Sequence, residues 1–316
     1  MALVGVKHTL GVDIGGTKVS AVVCDPEGRV VLRDREPTFV DGQRDPGLAI
    51  SFRVASGLFD KGRAAGLEID GVGVGVPEYV TTDGVLSSRE VMEWTTQPSE
   101  LFAPLGRVTI ESDVRCGAFA EARIGAGRGL TSFMYVSVGT GLSSTFVVND
   151  QTWAGQRGEA IAFGEIPVEG LMSSDSANLE SYSSGAGMAE RYREATGADP
   201  ETAVAILAEQ GDDVAYEIAM SSALALGRAL SLVARVLDPA AFVLGGGLGA
   251  STGLWWTTLA QEFEARSTSR PNPPRLIRAQ LGRFRCSRRR PNGGSYPPYR
   301  GRPAGLVSGF AGVVKP

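Results

Sequence analysis

The sequence predicts an α/β protein of two related halves that face one another across a cleft. Three observations carry this. A strand–glycine turn–strand pattern occurs near residue 15 and again near residue 140. Short apolar runs alternate with stretches that suit helices, the pattern of layered α/β folds. The chain has 316 residues, enough for two domains. A cleft between domains is a usual place for a small-molecule site.

The elements follow in order. Residues 8–14 and 18–24 (KVSAVVC) read as strands joined by Gly15-Gly16-Thr17, and RVVLR after the DPEG turn reads as a third strand. A helix is expected over 46–66, then strands over 71–77 (GVGVGVP) and 107–112 (RVTIES). Asp113 ends the latter, and VRCGAFAEARIG suits a helix after it. Strands over 133–138 and 142–148 enclose a second glycine turn at 139–141, and a glycine-rich loop at 149–165 carries Arg157, Glu159 and Glu165. Helices are expected over 180–195 and 199–209. Residues 213–237 form a long helix with apolar residues at three- and four-residue spacing. AAFVLGGGLG, 240–249, reads as a buried strand entering a third glycine turn.

Composition excludes several classes. A net charge of −4 with 21% charged residues gives no reason to expect nucleic acid or an anionic membrane as partner. No apolar run reaches the roughly 18 residues of a membrane span, and the N-terminal MALVGVKHTL reads as no secretory leader. Three cysteines lie far apart, so an intracellular, cytoplasmic protein is the expectation. The one histidine, His8, reads as a strand-edge residue. The chemistry therefore falls to carboxylates.

The glycine turns join strand to strand, whereas a Walker A loop or a dinucleotide fingerprint joins strand to helix. Each turn reads either as a plain hairpin or as a phosphate cradle, in which backbone N–H groups converge and absent side chains allow close approach. Thr17 adds a hydroxyl and Lys18 a charge. Asp13 beside the first turn would repel phosphate unless Mg²⁺ lay between them, a cation usually held through one or two carboxylates and several waters. Asp113 reads either as a helix N-cap or as a general base.

GVDIGGTKVSAVVCDPEGRV, YVSVGTGLSSTFVV and FVLGGGLG resemble the phosphate-1, phosphate-2 and adenosine motifs of the ROK family of sugar kinases, within the actin/hexokinase/Hsp70 superfamily. The resemblance runs from about residue 9 to 282 and resumes near 304. It implies two actin-like (ribonuclease H-like) domains closing on ATP, Mg²⁺ and a sugar, with transfer of the γ-phosphate to a sugar hydroxyl. By the same resemblance Asp113 is the catalytic base and Asp13 acts on Mg²⁺ through water or phosphate. Gly15, Gly16, Thr17, Lys18, Gly139, Thr140 and Gly141 hold phosphates, and Gly245, Gly246 and Gly247 border adenosine. The domains implied are 1–112, completed by a helix at 304–314, and 113–282. A homodimer or homotetramer is usual among such proteins.

The sugar half departs from the family pattern. Ser112 stands where an Asn helps grip the sugar. Ala162 and Glu165 stand where a Glu and a His belong, and LMSSDSANLE lacks the cysteine cluster that completes a zinc site. No zinc site is expected. Glu180, a sugar contact in the family, is kept. Glu78 and Glu90 read first as solvated loop charges and otherwise as carboxylates on the sugar side. These changes argue against a glucokinase of ordinary specificity and admit a modified sugar or a C7-cyclitol, a pseudosugar that some bacterial relatives phosphorylate. A non-catalytic nucleotide binder is the remaining reading. A sugar-sensing regulator of the family would carry a helix-turn-helix ahead of the first strand, which here is expected by residue 8.

Residues 283–303 hold seven arginines, four prolines and no acid. They read as an irregular insert rather than a nucleic-acid arm, since nothing else here is basic. A local reading-frame excursion in the gene would produce such a patch.

Overall fold

Every residue of the first strand after Lys7 is buried because that strand lies in the middle of a sheet and is covered on both faces. The computed structural model describes residues 7–40, 43–169, 171–172, 178–267 and 272–281. They divide into two compact units, one running to Ala120 and including Ala154–Glu159, the other comprising Glu121–Trp153 and the described residues from Ala160 on.

In the first unit β1 (Lys7–Ile14), β2 (Lys18–Cys24) and β3 (Val30–Pro37) form an antiparallel meander, followed by a small β4–β5 ribbon (Phe39–Val40, Gln43–Arg44). Helix α1 (Ala49–Ala64) leads to β6 (Glu68–Val76). The short α2 (Pro98–Leu101) precedes β7 (Arg107–Ser112), and α3 (Asp113–Ile124) follows at once. Strands β6 and β7 run parallel to β1, giving the order β3-β2-β1-β6-β7. Leu10, Val12 and Ile14 pack with Val72, Val74 and Val76 and with Val54 and Leu58 of α1. The exposed edge strand β3 alternates half-buried and exposed residues, as an edge with one covered face should.

The second unit repeats this plan. Strands β8 (Ser132–Val138), β9 (Leu142–Val148) and β10 (Gln151–Trp153) form an antiparallel meander. Helices α4 (Leu179–Ser183), α5 (Gly185–Thr196), α6 (Val204–Glu209) and α7 (Asp213–Leu237) lead to β11 (Ala241–Gly245). Then come α8 (Gly246–Gly249), α9 (Leu254–Ser267) and β12 (Arg275–Arg278). The order β10-β9-β8-β11-β12 matches the first sheet strand for strand, with β11 parallel to β8 and β12 parallel to β11. The duplicated α/β architecture expected from the two glycine turns is therefore present, with one such sheet in each unit.

Three local expectations are corrected. The helix expected over 180–195 breaks at Ser184, whose extended backbone and side chain cap α5 through the Gly187 N–H. The third glycine turn is instead the start of the short α8. Helix α7 is long and apolar enough to cross a membrane by length and composition, so an apolar run of that length does exist. Half of its most apolar window is buried, and Ala223, Leu226 and Leu230 pack with Phe242, Leu244, Leu259 and Phe263. A core helix accounts for it. The insert 283–303 and the helix 304–314 lie outside the described residues.

Candidate active site

The first unit gathers carboxylates at the C-terminal ends of its parallel strands, where loops leave an open α/β sheet and ligands bind. Asp13 on β1 lies opposite Gly75 of β6, and Gly75 lies opposite Glu111 of β7. Asp113 follows β7 directly. A Cβ on Gly75 would stand 3.8 Å from the Val12 carbonyl oxygen and 3.9 Å from the Asp113 Cα. With no side chain on Gly75, only the β6 backbone lies between the strand ends that carry Asp13 and Asp113. The same grouping is felt by Cys116, whose thiol is held well above its ordinary range by burial first, and by Glu111, Asp113 and Asp13 in turn.

Asp113 is the first residue of α3 and is half-buried. The cap position belongs to Ser112, whose Oγ accepts the Arg115 N–H at 3.4 Å. This displaces the reading of Asp113 as the cap. The Ser112 side chain is fully buried and its Oγ is engaged by the first turn of the helix.

The turn between β1 and β2 is braced from behind. The Gly15 N–H donates to the Lys18 carbonyl at 2.9 Å. The Thr38 hydroxyl donates to the Gly15 carbonyl at 3.0 Å, and the Thr38 N–H donates to the Thr17 carbonyl at 3.0 Å. A trans peptide points its carbonyl and the next N–H in opposite directions, so the Gly16 N–H is aimed away from Thr38. Thr17 is exposed and Lys18 half-buried. Asp13, 5% exposed, ends the strand that feeds this turn.

The second unit builds its turn the same way. The Gly139 N–H donates to the Gly141 carbonyl at 2.9 Å; the carbonyls of Gly139 and Thr140 accept from Gly185 at 2.8 Å and Ala186 at 3.0 Å, the first residues of α5. The N–H groups of Thr140 and Gly141 therefore point away from α5. Close approach demands glycine: a Cβ on Gly185 would lie 2.7 Å from the Gly139 oxygen. Gly246, at φ +77°, would place one 2.4 Å from the Val138 oxygen, so the 245–247 run lies against the 139–141 turn. Glu180 Oε2 accepts the Leu142 N–H at 2.6 Å. Glu165 is exposed at the end of a 3-10 turn, Ala162–Glu165.

Glu78 differs from both readings offered by the sequence. It is 3% exposed and accepts hydrogen bonds from the backbone of Glu90, Val91 and Met92 and from the Ser88 hydroxyl. It is neither a solvated charge nor open to a sugar. Glu90 itself is exposed.

Sequence reasoning missed Arg115 and Thr38. Arg115 is 1% exposed; its guanidinium binds Glu111 at 2.6 Å and donates to the carbonyls of Gly158 at 2.8 Å and Val80 at 2.6 Å. It thereby fixes Ala154–Glu159 to the strand ends of the first unit. Neither residue belongs to a spaced motif, so only the fold identifies them. Among the described residues, no three His, Cys, Asp or Glu side chains gather as metal ligands.

The sequence profile of the ROK family matches residues 9–287. The chain is 29% identical to a glucokinase of Streptomyces coelicolor over 266 residues, 76% of this chain and 82% of that protein. It is 29% identical to an N-acetyl-D-glucosamine kinase of Salmonella gallinarum over 293 residues, 86% of this chain and 94% of that one. The crystal structure of a ROK family glucokinase from Streptomyces griseus, in complex with glucose and AMPPNP, superposes with a TM-score of 0.71 at 25% identity, covering 97% of this chain and 98% of that one.

Proposed function

The chain belongs to the ROK family, and we propose that it is an ATP-dependent kinase transferring the γ-phosphate to a hydroxyl of a sugar or sugar-like polyol. The observation that carries this reading is the placement of Asp13 and Asp113 at the ends of β1 and β7, one strand apart, beside a glycine turn whose carbonyls are tied inward. Relatives that are glucokinase and N-acetyl-D-glucosamine kinase support the sugar class, and the glucokinase that binds AMPPNP supports ATP.

Phosphoryl transfer needs positioning and charge stabilisation more than covalent chemistry from the protein. In this reading Asp113 accepts the proton of the attacking hydroxyl. Gly15–Lys18 and Gly139–Gly141 offer N–H donors to phosphates, Thr17 a hydroxyl and Lys18 a charge. Gly245–Gly247 border the adenosine. A single carboxylate next to a phosphate turn fits Mg²⁺, which keeps several waters and is usually held through one or two carboxylates with the phosphates. Asp13 would hold it, and Mg²⁺ would neutralise charge on the triphosphate. Glu165 and Glu180 are the sugar-side carboxylates.

A second reading concerns the acceptor. Ala162 and Glu165 replace the family's Glu and His, and a buried Ser112 stands where the family has Asn. A site that hydrogen-bonds one set of hydroxyls rejects analogues lacking them, so a modified sugar or C7-cyclitol is the alternative acceptor. A coupled ADP-release assay over hexoses, N-acetylhexosamines and cyclitols tests both. Turnover with one class assigns the acceptor. Intact ATP binding with no turnover on any of them would identify a non-catalytic binder instead.

A further inference from the structure

We infer that Glu78 is a positioning residue for the Gly15–Lys18 turn: its buried carboxylate gathers the 88–92 loop and seats Val91 on Gly16. The inference rests on the proposed role of that turn in holding phosphate.

Three successive backbone N–H groups converge on the one carboxylate. Those of Val91 and Met92 reach Oε1 at 2.8 and 2.7 Å, and that of Glu90 reaches Oε2 at 2.9 Å. The Ser88 hydroxyl also donates to Oε2 and accepts the Tyr79 N–H at 2.9 Å. Such a concavity of backbone donors is an anion site by construction, and here the chain fills it with its own side chain. A carboxylate offers acceptors at both oxygens; an amide offers one and turns an NH₂ group toward donors.

The gathered loop reaches the turn. A Cβ on Gly16 would stand 3.4 Å from Val91 Cγ1, so Val91 covers the face of Gly16 from which a side chain would project. The Val91 carbonyl accepts Arg44 Nη1 at 2.7 Å, and the Glu93 carbonyl accepts the Gly47 N–H at 3.0 Å. Arg44 precedes Asp45, whose N–H donates to the Thr38 carbonyl at 2.7 Å, and Thr38 holds both Gly15 and Thr17. The turn is therefore clasped by Thr38 on one side and, through Val91, by Glu78 on another. Trp94 stiffens the same loop: its Nε1 donates to the Ser88 carbonyl at 3.0 Å, and Arg89 stacks 4.4 Å from its ring centre.

The test is titration of the full chain with Mg·AMPPNP for the parent, Thr17→Val, Glu78→Asp and Glu78→Gln, with KM for the sugar and the thermal midpoint measured beside it. Thr17→Val checks the turn. Unchanged affinity in that variant refutes the phosphate role itself, whatever Glu78 does. If Thr17→Val weakens binding, analogue affinity is expected to fall in the order Glu, Asp, Gln. The loss in Glu78→Gln should be about tenfold, the scale of a lost hydrogen bond to a charged group, at unchanged sugar KM. Analogue affinity within twofold of the parent in Glu78→Gln, or a rise confined to sugar KM, overturns the inference. Should Glu78→Gln fail to fold, Glu78→Asp, which keeps the charge and withdraws it by one methylene, decides by the same criteria.

Discussion

Asp13 and Asp113 stand at the C-terminal ends of β1 and β7 with only β6 between them, and the β6 residue at that level is Gly75. The pairing is a consequence of parallel strands carrying their last residues to one edge of the sheet. Gly75 keeps the space between them narrow: a Cβ there meets Cys116 Sγ, the Val12 oxygen and the Asp113 Cα at 3.5–3.9 Å. A methyl makes ordinary contacts at these distances. Gly75→Ala should therefore fold with little change in urea midpoint. Gly75→Leu should cost about 1–3 kcal/mol through overpacking and depress turnover more than Gly75→Ala does.

Removing the Asp13 charge isolates its proposed work on the metal. Asp13→Asn should weaken AMPPNP binding about tenfold in the presence of Mg²⁺, the scale of one lost charge-assisted contact. It should leave metal-free binding unchanged or tighter, because the carboxylate no longer repels phosphate. Titrations with and without Mg²⁺ check this; equal losses in both would remove Asp13 from the metal's neighbourhood.

Arg115 joins three pieces of chain from a fully buried position. Arg115→Met leaves the Glu111 carboxylate and two carbonyls without that partner, and breaking a buried ion pair on one side costs about 3–5 kcal/mol. Chemical denaturation should show it. Gly158→Ala tests the same joint from the other side. Its φ is +87° and a Cβ would stand 2.0 Å from the Val80 oxygen, so this small change should destabilise as strongly as a strained core substitution.

The buried thiols give a signed pH dependence. Cys24 is pushed up from 9.0 to about 12, by burial first and by Asp25 second, and Cys116 is raised as well. Between about pH 9 and 12 the folded chain keeps protons that the unfolded chain releases, so stability falls as pH rises through that window. Below pH 9 these thiols contribute no slope. At pH 8 iodoacetamide should leave both cysteines unmodified in the native protein and label both in urea, as read by peptide mapping. Rapid native labelling of either would contradict the burial.

The hairpins around residues 15 and 140 were legible because strand alternation and glycine turns are local signals; Asp13 and Asp113 stood out by their place at strand ends, and the roles proposed for them came from the family resemblance. Helix α7 was legible from its period. What was not legible depended on tertiary context. Glu78 reads as a loop charge until the fold wraps three backbone donors around it. Ser112 as the cap of α3 shows only once the Arg115 N–H is placed over its Oγ. The break at Ser184 hides in a helix-compatible run, because a capping serine is equally at home in many loops. Four-residue β12 is set by pairing with β11 rather than by its own sequence.

The central claim, that Asp113 takes the proton while Asp13 and the glycine turns hold the nucleotide, is tested most directly by single-turnover phosphoryl transfer in Asp113→Asn at saturating Mg·ATP and acceptor. The expected result is a rate lower by about 10²–10⁴-fold, the usual contribution of a general base, with Mg·AMPPNP affinity unchanged. Transfer at the parent rate would contradict it.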